Sequence, residues 1–234
     1  MKIEQLDADS TRGRIEQIGF ELSGLSAFGY RDEERHLRYD WHQHSFHQLL
    51  YSFRGVVHVE VDRARYFLPP QRAAWISAGT RHRTTLFDVE SGSVFFHPSV
   101  IRWPVEPIRI IAAPPLLREM LKEAVRWTHR DQTEGPLRLV FFETLALLCK
   151  EWMRNEMPFW LPSSQHPQIA CALDYTLAHL AEATVDEASA AAAMSVRTFR
   201  RYFLAEMGLS WRDYLTKSRL LQAMELLGRP HARV

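Results

Sequence analysis

Two groups of side chains have types and spacings that could do chemistry. The first is a histidine set: His42 and His44 in Trp41-His42-Gln43-His44, and His82 three residues after Gly79. On an extended strand His42 and His44 would face the same side. Imidazoles so placed suit a divalent metal such as Zn, Ni, Fe or Cu. They equally suit a metal-free pocket in which the rings act as hydrogen-bond partners; the metal-free pocket is the preferred reading. The second group is basic: Ser195-Val196-Arg197-Thr198-Phe199-Arg200-Arg201. Arginine is the side chain best fitted to bidentate contact with guanine O6 and N7 in the major groove. No nucleophile–base constellation accompanies either group, so no catalytic residue is assigned and the chain does not read as an enzyme.

Local helix signals position the arginines. Thr184 with Glu187 three residues on is a capping box, and Ala188 to Ala193 favours continuation of the helix it starts. Ser195 is a second N-cap signal only a few turns later. In the helix that follows, Phe199, Phe203 and Met207 fall at four-residue spacing and form the buried stripe, which leaves Val196, Arg197, Arg200 and Arg201 on other faces. Gly208 is suited to end it. The N-terminal residues of such a second helix are those that reach base edges. The plainer alternative is an amphipathic pair with a solvated basic face.

The histidines lie in a segment of strand character. Phe46–Phe53 precedes a turn signal at Arg54-Gly55; Val57, Val59 and Val61 then alternate with polar residues. Further short strands are predicted at Tyr66–Leu68, Ala73–Ile76, Thr84–Phe87 and Ser93–Phe96. That spacing suggests a closed barrel or sandwich. Helices are predicted at Leu116–Thr128 and Leu137–Met157, the second apolar enough to need cover from the barrel, its neighbour or another subunit. The Pro/Ser-rich stretch Pro158–Pro167 is the best linker candidate. The predicted organisation is residues 1–157 as an effector-binding and dimerisation domain, 158–165 as linker, and 166–234 as a helical DNA-binding segment.

The bulk composition narrows the class. The 234 residues are 46% hydrophobic and 24% charged, the balance of a globular protein, with a net charge of +1. From Ser195 onward eight Lys/Arg face three Asp/Glu, a local balance of +5 that suits a polyanion partner. No apolar run approaches the ~20 residues of a membrane helix, and the N-terminus lacks the apolar core of a secretory signal. A cytoplasmic protein is expected. Cys149 and Cys171, both among apolar residues, read as buried reduced thiols.

The stretch Met194–Leu227 resembles the first helix-turn-helix and connecting helix of the AraC/XylS family of transcription regulators. The resemblance rests on Ser195, Arg197, Phe199, Arg201, Phe203, Gly208, Ser210, Tyr214, Leu215, Arg219, Leu220, Ala223, Leu226 and Leu227. It implies base reading at Arg197, Arg200 and Arg201, with Val196 and Thr198 beside them. Ser195, Ser210 and Arg219 fall at capping, phosphate or structural positions. His-x-His followed by Gly-x-x-His resembles the cupin barrel, in which a glutamate holds the place of Gln48; for a metal site the resemblance implies Gln48 as a weak fourth ligand beside His42, His44 and His82. The fold class expected is mixed: an N-terminal cupin-like β-barrel (double-stranded β-helix) with two packing helices, then an all-α helix-turn-helix segment. The resemblance implies a homodimer that binds promoter DNA and a small-molecule effector. The chain departs from the family in that Gly228–Val234 ends where a second helix-turn-helix is expected, and in having Ala188 where a bulkier aliphatic residue is usual. Two alternatives remain open: a metal-dependent cupin enzyme at His42, His44 and His82, or a truncated dimerising modulator that does not bind DNA specifically by itself.

Overall fold

The computed structural model describes residues 3–20, 24–101, 106–131, 135–154 and 159–227. The expected chain end at 228–234, and Met157 and Pro158 at the expected domain boundary, lie outside them. By their internal contacts two units form: residues 1–59 with 67–159, and residues 60–66 with 160–234.

The first unit, the sheet unit, contains β1 (Glu4–Gln5), α1 (Ala8–Gln17), β2 (Ala27–Arg38), most of β3 (His47–Val61), the last two residues of β4 (Ala64–Leu68), then β5 (Arg72–Ile76), β6 (Arg83–Phe96), β7 (Ile108–Ala112), α2 (Pro115–Ala124) and α3 (Pro136–Trp152). Strands run in the order β1-β2-β6-β3-β4, and β5 pairs with both β3 and β7. The long antiparallel pair β2–β6 runs in register from Ala27↔Phe96 to Arg38↔Thr85.

Side chains alternate across a strand, and this gives the curled sheet two different faces. On one, Leu49, Tyr51, Trp75, Val94 and Phe96 pack against Leu117, Leu121, Phe142, Leu145 and Cys149 of α2 and α3. On the other, Phe28, Phe46 and Phe95 form a separate cluster with Ile18, Phe20 and Leu25 from the N-terminal segment. Gly29 shows how close the helical cover sits: a Cβ there would lie 2.1 Å from the carbonyl oxygen of Ala124. Its amide donates to the Trp127 carbonyl at 2.7 Å. Gly29→Ala is therefore expected to cost stability at or above the top of the ~1–3 kcal/mol usual for overpacking, read as a lower urea midpoint; an unchanged midpoint would mean that α2 is free to move away.

Two expected strand breaks are absent. Arg54-Gly55 does not turn the chain: Gly55 takes a φ of 76° inside a continuous β3. A Cβ there would meet the Asp88 carbonyl at 2.2 Å, so the glycine serves close strand approach at a bend. The two strands expected at Thr84–Phe87 and Ser93–Phe96 are one, β6, with Asp88 at φ 50° absorbing the distortion. The thiols also differ from each other: Cys149 is buried, but Cys171 is exposed, because the buried stripe of its helix runs through Ile169, Ala172, Leu173 and Thr176 instead.

The second unit, the helical unit, contains β8 (Trp160–Pro162), α4 (Pro167–Ala178), α5 (Val185–Ala191), α6 (Val196–Met207) and α7 (Trp211–Leu227), together with the hairpin tip 60–66. The stretch expected to be linker thus carries a strand. β8 pairs antiparallel with β4, Ala64↔Pro162 to Tyr66↔Trp160, and buries Leu161 completely; a proline at the end of an edge strand is tolerated. Phe199, Phe203, Met207, Trp211, Tyr214 and Leu215 supply much of the core, and the Trp211 indole donates to Thr176 Oγ1 at 3.0 Å.

Candidate functional site

The histidine set is assembled, though by a different route from the one expected. His42 and His44 precede β3 and belong to no regular strand. His42 instead forms an isolated antiparallel bridge with His82, its amide and carbonyl paired with those of His82 at 2.9 and 2.8 Å. The result brings three rings together, His42–His82 at 4.2 Å and His44–His82 at 5.3 Å between centroids. His47 faces elsewhere, stacked on Trp75 with its Nδ1 accepting from the Ala78 amide.

Each of the three rings has its Nδ1 against a backbone carbonyl: Asp40 for His42 (2.8 Å), Phe46 for His44 (2.7 Å) and Thr80 for His82 (2.8 Å). A carbonyl can only accept, so Nδ1 carries the proton in all three. Burial holds the rings neutral. It lowers His42 below the usual imidazole range and, helped by the neighbouring rings, takes His44 down to about 4 and His82 well down. A neutral ring protonated at Nδ1 has a bare acceptor at Nε2. Gln48 lies 3.2 Å from His44 Nε2 and 2.9 Å from Ser93 Oγ. The amide orientation that satisfies every group presents its NH2 to the ring and its oxygen to the hydroxyl.

These residues line one end of a cavity in the sheet unit. Its space is about 60 Å³, room for about two waters at the ~30 Å³ each takes in the liquid. Tyr30, Asp32, Tyr39, Thr84, Ser91 and Ser93 add polar groups, while Ile15, Phe20, Leu50, Leu86 and Phe95 supply apolar wall. Most of these were not singled out in the sequence. They arrive on β2, β6 and α1, and the charged run Arg31–Arg35 in β2 hides the alternation that would have marked that strand. Burial, with Glu34 nearby, raises the Asp32 carboxyl above its ordinary value. Among the described residues no group of three or more His, Cys, Asp or Glu side chains is arranged to hold a metal ion. Gln48 occupies His44 Nε2, the ring atom left free by the Nδ1 contact to Phe46.

The arginine group sits where its caps place it. The Thr184 side chain and Glu187 close a reciprocal capping box at α5. Ala188, small where the family is bulkier, is fully buried. Four residues on from Ala191, Ser195 caps α6, its side chain accepting from the Thr198 amide, and Gly208 ends the helix in the left-handed conformation at φ 70°. Phe199 and Phe203 are fully buried, while Arg197, Arg200 and Arg201 are exposed and form no ion pair with an acid among the described residues. Val196 and Thr198 are half-buried beside them. Arg219 is committed elsewhere: its guanidinium donates to the carbonyls of Leu180 (2.6 Å) and Ala181 (3.2 Å), tying α7 to the end of α4. Ser210 caps α7, accepting from the Asp213 amide at 3.1 Å.

A sheet with helical cover on one face and a polar-ended cavity on the other defines a small-molecule-binding module, and a separate helical unit follows it. Residues 25–139 match the family described as the AraC-like ligand binding domain. Residues 25–139 therefore carry an AraC-like ligand binding domain. The chain is 26% identical over 189 residues to the HTH-type transcriptional regulator NimR of Escherichia coli, an alignment covering 79% of this chain and 67% of that protein. Among solved structures it is similar to the AraC-like transcriptional activator CuxR (15% identity, TM-score 0.42, 85% of this chain and 77% of that one). It is also similar to apo ToxT from Vibrio cholerae (8% identity, TM-score 0.41, 88% and 84%). The family points to a regulator and not to an enzyme. No helix among the described residues is long and apolar enough to cross a membrane.

Proposed function

We propose that the chain is a cytoplasmic, effector-responsive, sequence-specific DNA-binding regulator. In this reading the sheet unit is a cupin-like barrel whose cavity holds a small organic effector. The pair α5–α6 is a helix-turn-helix, with α6 entering the major groove so that Arg197, Arg200 and Arg201 meet base edges. Ser195, Val196 and Thr198 stand at the leading end of α6, and Arg219 acts by bracing α7. The observation that carries the reading is the contrast within α6: one face is locked into the core by Phe199, Phe203 and Met207, while the other presents guanidinium groups with no acidic partner among the described residues. Supporting self-association, α3 exposes Leu137 and Leu147 at 74% and 68% on its outer side, which suits an isologous contact with a second copy. Effector binding and DNA binding are then coupled sites.

Binding to promoter DNA from the chain's own genomic neighbourhood, measured across a salt series with excess nonspecific competitor, tests this. Arg200→Ala is expected to weaken specific binding by ~1–3 kcal/mol, with little change in competitor binding. Equal affinity of wild type and variant for specific and random DNA would overturn the assignment of α6.

A further inference from the structure

The cavity wall has a sign. With Nδ1–H committed to backbone carbonyls, His42 and His82 can offer a ligand only the lone pair at Nε2. Asp32 adds a half-buried carboxylate, while Ser91, Thr84 and Tyr30 add hydroxyls able to accept. Among the described residues, none that lines the cavity is Lys or Arg. The same holds for an adjoining, more open cleft of about 290 Å³ that shares Ile15, Phe20 and His44 with the cavity and adds Glu16. The guanidinium acting on this region from α1 belongs to Arg14, which is bonded to Glu34.

An anion entering such a space would lose its water and find hydroxyl donors but no cation lining the wall, facing the Nε2 lone pairs and the Asp32 carboxylate instead. A molecule bearing N–H donors and positive charge would satisfy the acceptors, and Asp32 would become its counter-ion. The cavity's space of about 60 Å³ takes only the charged head of that molecule, since a cavity that holds one aromatic ring is ~150 Å³; the ring would lie in the adjoining cleft against Ile15 and Phe20. We propose that this cavity selects a small, flat organic cation of the amidinium or aromatic-ammonium kind and rejects carboxylates of the same shape. The proposal rests on reading the cavity as the effector site, and it narrows the chemistry of the effector. The selectivity follows from leaving buried polar groups unpaired with the wrong ligand.

Benzamidine and benzoate have the same size and outline but opposite charge, which makes them the probes. Calorimetric titration of the full chain at pH 7 is expected to show benzamidine binding at least tenfold tighter than benzoate, and Asp32→Asn should reduce that preference at least fivefold. In parallel, the ring ¹⁵N resonances of the unaltered protein should show Nε2 of His42 or His82 shifting as benzamidine docks, a readout that requires no variant to fold. Benzoate binding as tightly as benzamidine, no heat with either probe, or benzamidine binding that leaves every histidine resonance in place would overturn the proposal. Promoter occupancy measured with and without benzamidine separates the two readings: tight binding in the cavity with unchanged occupancy would sink the effector role and leave the cation selectivity standing.

Discussion

Acidification from pH 7 to pH 5 is expected to weaken the sheet unit by about 2 kcal/mol through His44 alone. The unfolded chain takes up a proton at the ordinary imidazole value of 6.5, whereas the folded ring resists until about 4. Between those values the unfolded state binds more protons, so stability is full above pH 6.5 and falls as pH drops toward 4. His42 and His82 are lowered for the same reason, burial first, and push in the same direction. Asp32 opposes them: its carboxyl is raised, so the folded state takes that proton more readily than the unfolded one and gains stability as Asp32 titrates. The test is a series of urea unfolding curves in half-unit steps from pH 7.5 to 5. His44→Gln, which removes one titrating ring and keeps polar capacity, should flatten the slope by about 1.4 kcal/mol per pH unit in the middle of the window. Parallel profiles for wild type and variant would show that His44 is not held neutral by burial.

Truncation of Phe203 to Ala is the second large expected effect. The ring is fully buried, 5.3 Å from Phe199 and 5.6 Å from Tyr214, at the centre of the helical unit. Removing it should cost ~3–5 kcal/mol. A unit of this size has roughly 4–12 kcal/mol in total at ~0.05–0.15 per residue, so much of α4–α7 should open and specific DNA binding should fail. Hydrogen exchange gives the discriminating measurement: amides of α4, α6 and α7 should lose protection while those of β2 and β6 keep theirs. Equal loss in both sets would mean that the two units unfold as one, contrary to the expectation.

These effects fall on parts of the molecule that differ in how far the sequence revealed them. The helical unit was legible almost to the residue. Caps at Thr184, Ser195 and Gly208 act within one turn, and the Phe199, Phe203, Met207 stripe follows from 3.6 residues per turn, so neighbours in sequence specify the structure. The same locality placed Arg197, Arg200 and Arg201 on an outward face. Arg219 was not legible in this way, because its acceptors, the carbonyls of Leu180 and Ala181, lie nearly 40 residues away.

The sheet unit divides differently. The apolar core of β3, β5 and β6 shows in alternating Val, Leu and Phe, but β2 does not, since its charged residues are set between a half-buried cavity face and solvent. Gly55 illustrates the limit: glycine in the sequence signals unusual backbone, and only the closeness of Asp88 on the neighbouring strand decides between a turn and a bend. The sequence by itself determined the kinds of unit, the helix ends, the exposed arginines and the presence of a histidine set. Tertiary structure alone decided that His82 pairs with His42 and that Asp32 and Ser93 join them around one cavity. Those outcomes depend on contacts between residues ten to sixty positions apart, and such contacts are set by strand pairing and burial, which leave no periodic trace along the chain.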